Sequence, residues 1–205
     1  MLISYGMYWF RSTRGSWGGR VAWLTGVGLG LGVVALTPRN AFAESIVKQP
    51  GNHPKYTIEF EPHLLLGWAN IDSNDPFPHK IDFGNNAGFG PGLRLSVPLV
   101  DNGFIKTINN NVALGFGVDW AHYGGPGSDV LWFPVVMQWN FFITDVITVF
   151  GEPGGAFRHV SSHGRSELHV DGVLQAGAKF MFSRYVGLTL RAGYPYFSAG
   201  VSLLF

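Results

Sequence analysis

From residue 56 to residue 205 the chain repeats one pattern: side chains alternate between an uncharged apolar set and a set that is small, polar or charged. Successive side chains of a β-strand point to opposite faces, so a period of two implies strands with one apolar face. In 56–70, Tyr56, Ile58, Phe60, Leu64, Leu66 and Trp68 oppose Glu59, Glu61 and His63. In 112–121, Leu114, Phe116, Val118 and Trp120 oppose Gly115, Gly117, Asp119 and Ala121. The same split recurs in 87–97, 130–141, 146–158, 168–182, 185–194 and 196–205. Eight strands result, each long enough to cross a bilayer at a tilt, which takes roughly 9–11 residues, and an even number is what a closed antiparallel barrel requires.

Which face is outward follows from where the charge lies. The apolar set carries no charge in any segment, whereas the other holds Glu59, Glu61, Arg94, Asp119, Glu152, Arg158, Asp171, Lys179 and Arg191. That face also carries His63, Gln138, Gln175 and many glycines. A soluble eight-stranded barrel would turn its apolar side chains inward and show long polar ones to water. A narrow lumen instead needs small residues and charges that neutralise one another, and a charge facing lipid near the midplane costs about 2–4 kcal/mol. The expectation is therefore an all-β, eight-stranded up-and-down transmembrane barrel, apolar outside, with the nine charged residues in one side-chain-filled lumen. Such an interior is just wide enough to be packed by side chains, so the pore reading ranks behind a plugged barrel.

Composition agrees. Charged residues are 13% of the 205, against roughly 25% in average domains, and cysteine is absent, which excludes a disulfide scaffold and a thiolate metal site. Residues 1–20 carry Arg11, Arg14 and Arg20 and no acid; an apolar run from Val21 to Leu36 follows, and then Ala41-Phe42-Ala43. A positive lead, an apolar core and an A-x-A site predict a secretory signal peptide over 1–43, with Met7 an alternative start. Residues 44–55 are expected as a short periplasmic lead-in and 56–205 as the barrel. With four arginines and no acid removed, the remainder holds 10 Lys and Arg against 13 Asp and Glu, a formal charge of −3. No basic cluster remains for nucleic acid.

Turns are expected at 143–145, 183–184 and 100–111 on the periplasmic side, and at 71–86, 122–129, 159–167 and Pro195 outside. The loop Ile71–Asn86 is the chief candidate for surface interaction. Aromatic girdles are expected from Trp68, Trp120, Tyr123, Trp139, Phe141, Phe142, Tyr185 and Tyr194. Pro62, Pro91, Pro134 and Pro153 fall inside strands, each at the expense of a ladder hydrogen bond, and are expected at bulges, strand ends or register slips.

The last strand, with Phe197, Val201, Leu203 and terminal Phe205 alternating, resembles the assembly signal of Gram-negative outer-membrane proteins. The segment Val149-Phe-Gly-Glu152-Pro-Gly-Gly-Ala-Phe157 also resembles a strand common in such barrels. Over nearly all of 56–205 the chain resembles the small OmpA-type and OmpX-type barrels. That resemblance implies an integral outer-membrane location and monomeric state. It also implies outer-membrane lipid and lipopolysaccharide as surroundings, and recognition by the barrel assembly machinery.

Two chemical readings stand beside it. His159-Val-Ser161, with Glu167 nearby, is similar to the His-x-Ser of the outer-membrane lipid A deacylases, which implies acyl hydrolysis with the histidine as base. Ser162 stands where that family has Asn, and the glutamate is closer. His159, His163 and His169, with Asp171, could be a metal cluster, but their spacing fits no common site. The expected function is accordingly non-enzymatic, structural or surface-interacting, without metal or cofactor.

Overall fold

The computed structural model describes residues 44–68, 87–124, 127–162 and 164–205. The signal peptide reading, the 71–86 loop and His163 lie outside the described residues. Eight antiparallel strands form a closed barrel in which each pairs with its chain neighbour and β1 pairs with β8. They are β1 (Glu59–Gly67), β2 (Gly88–Val100), β3 (Asn110–Tyr123), β4 (Ser128–Phe142), β5 (Ile147–Ser162), β6 (Arg165–Met181), β7 (Val186–Tyr194) and β8 (Tyr196–Leu204). The proximal end is where β1 begins and β8 finishes; the distal end is opposite.

The faces are those that the period of two predicts. Phe60, Leu64, Leu66, Phe89, Phe116, Val135, Val149, Leu174 and Val201 point away from the barrel. Glu59, Glu61, Arg94, Asp119, Glu152, Arg158, Asp171, Lys179 and Arg191 are all buried inside.

Two distal loops are shorter than expected. β3 runs through Tyr123 and β4 starts at Ser128, so the strands take in both ends of the expected 122–129 loop. β5 and β6 continue to Ser162 and from Arg165, so most of 159–167 is strand. There the residues are polar on both faces, which erases the alternation while leaving the backbone ladder intact. The barrel wall is consequently tall at β5–β6, with strands of 16 and 17 residues, and low at β7–β8, with 9 each.

The four prolines sit at neither bulges nor strand ends. Each interrupts one ladder and leaves the other whole. Beside Pro62, β1–β8 pairing lapses between Phe60↔Leu203 and His63↔Gly200, while Pro62↔Leu93 holds on the other side. Pro91 interrupts β2–β3, Pro134 interrupts β3–β4, and Pro153 interrupts β4–β5, whereas Leu64↔Pro91, Pro134↔Ala156 and Pro153↔Leu174 remain paired. The register is unchanged across every lapse. A strand residue's N–H points to one neighbour only, so losing it weakens one seam locally. The register shift among the described pairings lies instead between Pro98 and Val100, near the proximal end of β2.

The girdle expectation holds in part. Trp120 and Tyr185 are exposed on the outer wall, and Trp139 and Phe141 are half-exposed beside Phe104. Tyr123 and Phe142 are buried instead, because their positions have inward parity, while Tyr194, at an outward position after Gly193 (φ 145°), is buried with its ring edge-on to Trp68.

Candidate functional site

All eight strands direct buried charged and polar side chains into the lumen. At its centre Arg191 lies between two carboxylates. Its Nη1 and Nη2 donate to Glu61 Oε1 at 2.7 Å and Oε2 at 3.0 Å, and its Nε and Nη2 donate to Glu152 Oε2 at 2.7 Å and Oε1 at 3.2 Å. Planar guanidinium suits this two-sided fork, which a lysine could not make. Nη1 also donates to Ser198 Oγ at 3.1 Å, and the guanidinium lies 5.3 Å from the Phe150 ring centroid. Glu152 further accepts from Arg94 Nη1 at 3.2 Å and Gln138 Nε2 at 3.0 Å. Arg94 donates to the Tyr196 hydroxyl at 2.9 Å and approaches Asp119 at 3.5 Å. Asp119 accepts from Tyr196 and has His63 Nε2 at 2.8 Å. One continuous chain of charges thus runs from Glu61 to His63, supplied by five strands.

Two separate pairs flank it. Lys179 Nζ meets Glu59 Oε2 at 2.5 Å toward the proximal end, where Glu59 also accepts from Ser202 Oγ at 2.7 Å. Arg158 Nε meets Asp171 Oδ2 at 2.9 Å on the distal side. All nine charged residues named from the sequence are therefore ion-paired inside the barrel. Above the central chain, Trp132, Tyr123, Tyr196, Leu65, Val130 and Val173 form a buried apolar cluster. Gly92 makes room for the His63–Asp119 pair, since a Cβ there would collide with both side chains.

The proximal mouth is closed by a segment the sequence places merely as a lead-in. Ile46 N donates to Ile143 O at 3.0 Å, Asn109 N donates to Val47 O at 2.7 Å, and Ser45 bridges Thr144. His53 stacks on Phe142 at 4.3 Å and 4°, and its Nδ1 lies 2.7 Å from Asn109 Oδ1. Asn109 Nδ2 donates to Asn52 O at 2.6 Å. Under this cover a cavity of about 20 Å³, lined by Tyr56, Asn140, Phe142, Thr148, Lys179 and Leu204, has room for about one water. No periodic signal marks 44–55, because backbone groups and one histidine make the contacts.

Burial outweighs the Asn109 hydrogen bond and lowers the His53 pKa from 6.5. The docked segment thus favours neutral imidazole, so this contribution is complete above pH 6.5 and lost as the pH falls below it. Amide protection at Ile46 and Asn109, taken against the intrinsic exchange rate at each pH, should fall on acidification, and His53→Phe, which keeps a stacking ring without a titrating one, should flatten that profile. An unchanged profile in the variant would remove His53 as the cause.

The Ser, His and Glu of the hydrolase reading are not brought together. His159 and Ser161 share the outer face of β5, but His159 Nε2 contacts Ser166 Oγ at 2.6 Å. Glu167, on the opposite face of β6, lies 3.3 Å from His169 Nε2. His159 and His169 are likewise on opposite faces, and no group of three metal-ligating side chains occurs among the described residues. Phe197, Val201, Leu203 and Phe205 alternate along the outer face of the closing strand, and Phe205 exchanges backbone hydrogen bonds with Ile58.

No family model and no curated protein matches the chain. Among solved structures it is similar to Ail, the attachment invasion locus protein of Yersinia pestis, at 14% identity and a TM-score of 0.45, over 75% of this chain and 99% of that one. It is also similar to Neisserial surface protein A at 15% identity and a TM-score of 0.44, over 73% of this chain and 96% of that one.

Proposed function

We propose that the chain is an integral outer-membrane barrel without catalytic activity, sealed to solutes, whose role is structural or exercised through its distal surface. The observation that carries this reading is an uncharged apolar belt on the outer wall around a lumen closed by ion pairs. Leu64, Phe89, Val135, Phe157 and Leu174 are each more than half exposed, on five different strands. Water-soluble monomers rarely expose contiguous apolar area beyond a few hundred Å². Lipid is the solvent such a wall fits, and a closed barrel satisfies its backbone there. The signal peptide expected over 1–43 and the apolar alternation of Phe197, Val201 and Leu203 in β8 support the outer membrane as the destination. Outer-membrane lipid and lipopolysaccharide are then its surroundings, and the barrel assembly machinery its partner during biogenesis.

Folded protein in detergent should migrate differently on gels before and after boiling. A chain that stays monodisperse in water without detergent would overturn the membrane reading. Planar bilayers containing the folded barrel should show no steady current steps, because the central ion chain and the aromatic cluster both block the lumen. Reproducible open-channel steps would overturn the sealed-lumen reading while leaving the membrane reading intact.

A further inference from the structure

One row of outward-facing residues crosses the tall side of the barrel at a single height. His122 on β3 pairs in register with Asp129 on β4, Asp129 with Ser161 on β5, and Ser161 with Ser166 on β6. His122 Nδ1 lies 3.0 Å from Asp129 Oδ1, and His159, one outward step below Ser161, contacts Ser166. Beneath the row the same wall turns apolar through Trp120, Leu131 and Leu168, and then opens into a groove of about 350 Å³. Its lining includes Leu93, Phe116, Val118, Phe133, Val135 and Phe157. Phe133 and Phe157 lie four residues below Asp129 and Ser161, a descent of about 13 Å at strand rise.

We propose that this wall holds an acylated sugar, with its hydroxyls on the row and its acyl chain in the groove. The inference rests on the membrane-spanning reading. The descent from row to groove requires a ligand with a polar head and a chain, since a compact molecule cannot reach both. The head is argued from the row's chemistry. Its carboxylate, hydroxyls and imidazoles exchange hydrogen bonds with hydroxyl groups, and it holds no lysine or arginine to receive a phosphate. The His122–Asp129 and His159–Ser166 pairs hold their acceptors in place before a ligand arrives, which lowers the ordering cost of binding.

The test uses the full barrel refolded in twelve-carbon amine-oxide micelles, titrated with dodecyl maltoside and followed by amide chemical shifts. Expected are saturable shifts at Asp129, Ser161 and Ser166 together with Val118, Phe133 and Phe157. Asp129→Ala, which removes the charged acceptor, and Val118→Trp, which fills the groove, should each weaken binding about tenfold. Both positions are on the outer wall, so boiling-dependent gel migration should persist and show that the variants are folded. An equal response to dodecanol, which lacks the sugar, would overturn the proposal. So would shifts that spread evenly around the apolar belt without saturating, or variants that bind as wild type. Failure of the membrane reading is separately visible, as a barrel that stays monodisperse before any micelle is added.

Discussion

Arg191→Met is expected to cost about 3–5 kcal/mol of barrel stability, the most of any single lumen substitution. Among the described residues Arg191 is the cation hydrogen-bonded to Glu61, and it shares Glu152 with Arg94. Both carboxylates are about 1% exposed or less, so the variant leaves them in a site that water does not reach. Methionine keeps the volume and the contact with Phe150, which separates loss of charge from loss of packing. Urea unfolding in lipid vesicles, followed by tryptophan fluorescence, reads the effect. Arg158→Met should cost less, because its partner Asp171 lies nearer the distal opening. Adding Glu61→Gln to Arg191→Met should recover part of the loss, since the double variant no longer buries an unpaired charge. A cost below about 1 kcal/mol would mean that the central chain is wet and screened, as exposed ion pairs are.

The sequence showed which face each charged residue occupies, but not which residues pair. Parity along a strand is local, so Glu61 and Arg191 could both be placed inside from their own neighbours. Their meeting depends on barrel closure and strand stagger, which bring together residues 130 apart in the chain. Tyr123 and Phe142 were legible as inward by the same parity, yet their ring chemistry suggested a membrane girdle. Parity won, because a one-residue slip would have turned every neighbour over as well. The prolines misled for a related reason. Counting a lost hydrogen bond as a strand fault ignores that each N–H serves a single seam. The lead-in was hidden most completely, since backbone pairing of Ile46, Val47 and Asn109 leaves no mark on side-chain type.

Val135→Arg should destabilise the barrel by about 2–4 kcal/mol in a lipid bilayer, whereas Leu99→Arg should cost about 0–1 kcal/mol. Both residues face outward, at 51% and 64% exposure, so neither substitution disturbs the lumen. They differ in depth: Val135 is at the middle of β4, and Leu99 is next to the proximal end of β2. An arginine near the end can extend its guanidinium to the headgroups, while one at the centre must draw water or headgroups toward it. The difference between the two positions therefore measures the solvent, not the fold. In water both changes would replace an exposed apolar side chain by a charged one, and neither should cost stability beyond about 0.5 kcal/mol. Unfolding measured in vesicles should rank Val135→Arg far below Leu99→Arg. Equal costs at the two depths would remove lipid as the reason that eight strands keep one face free of charge.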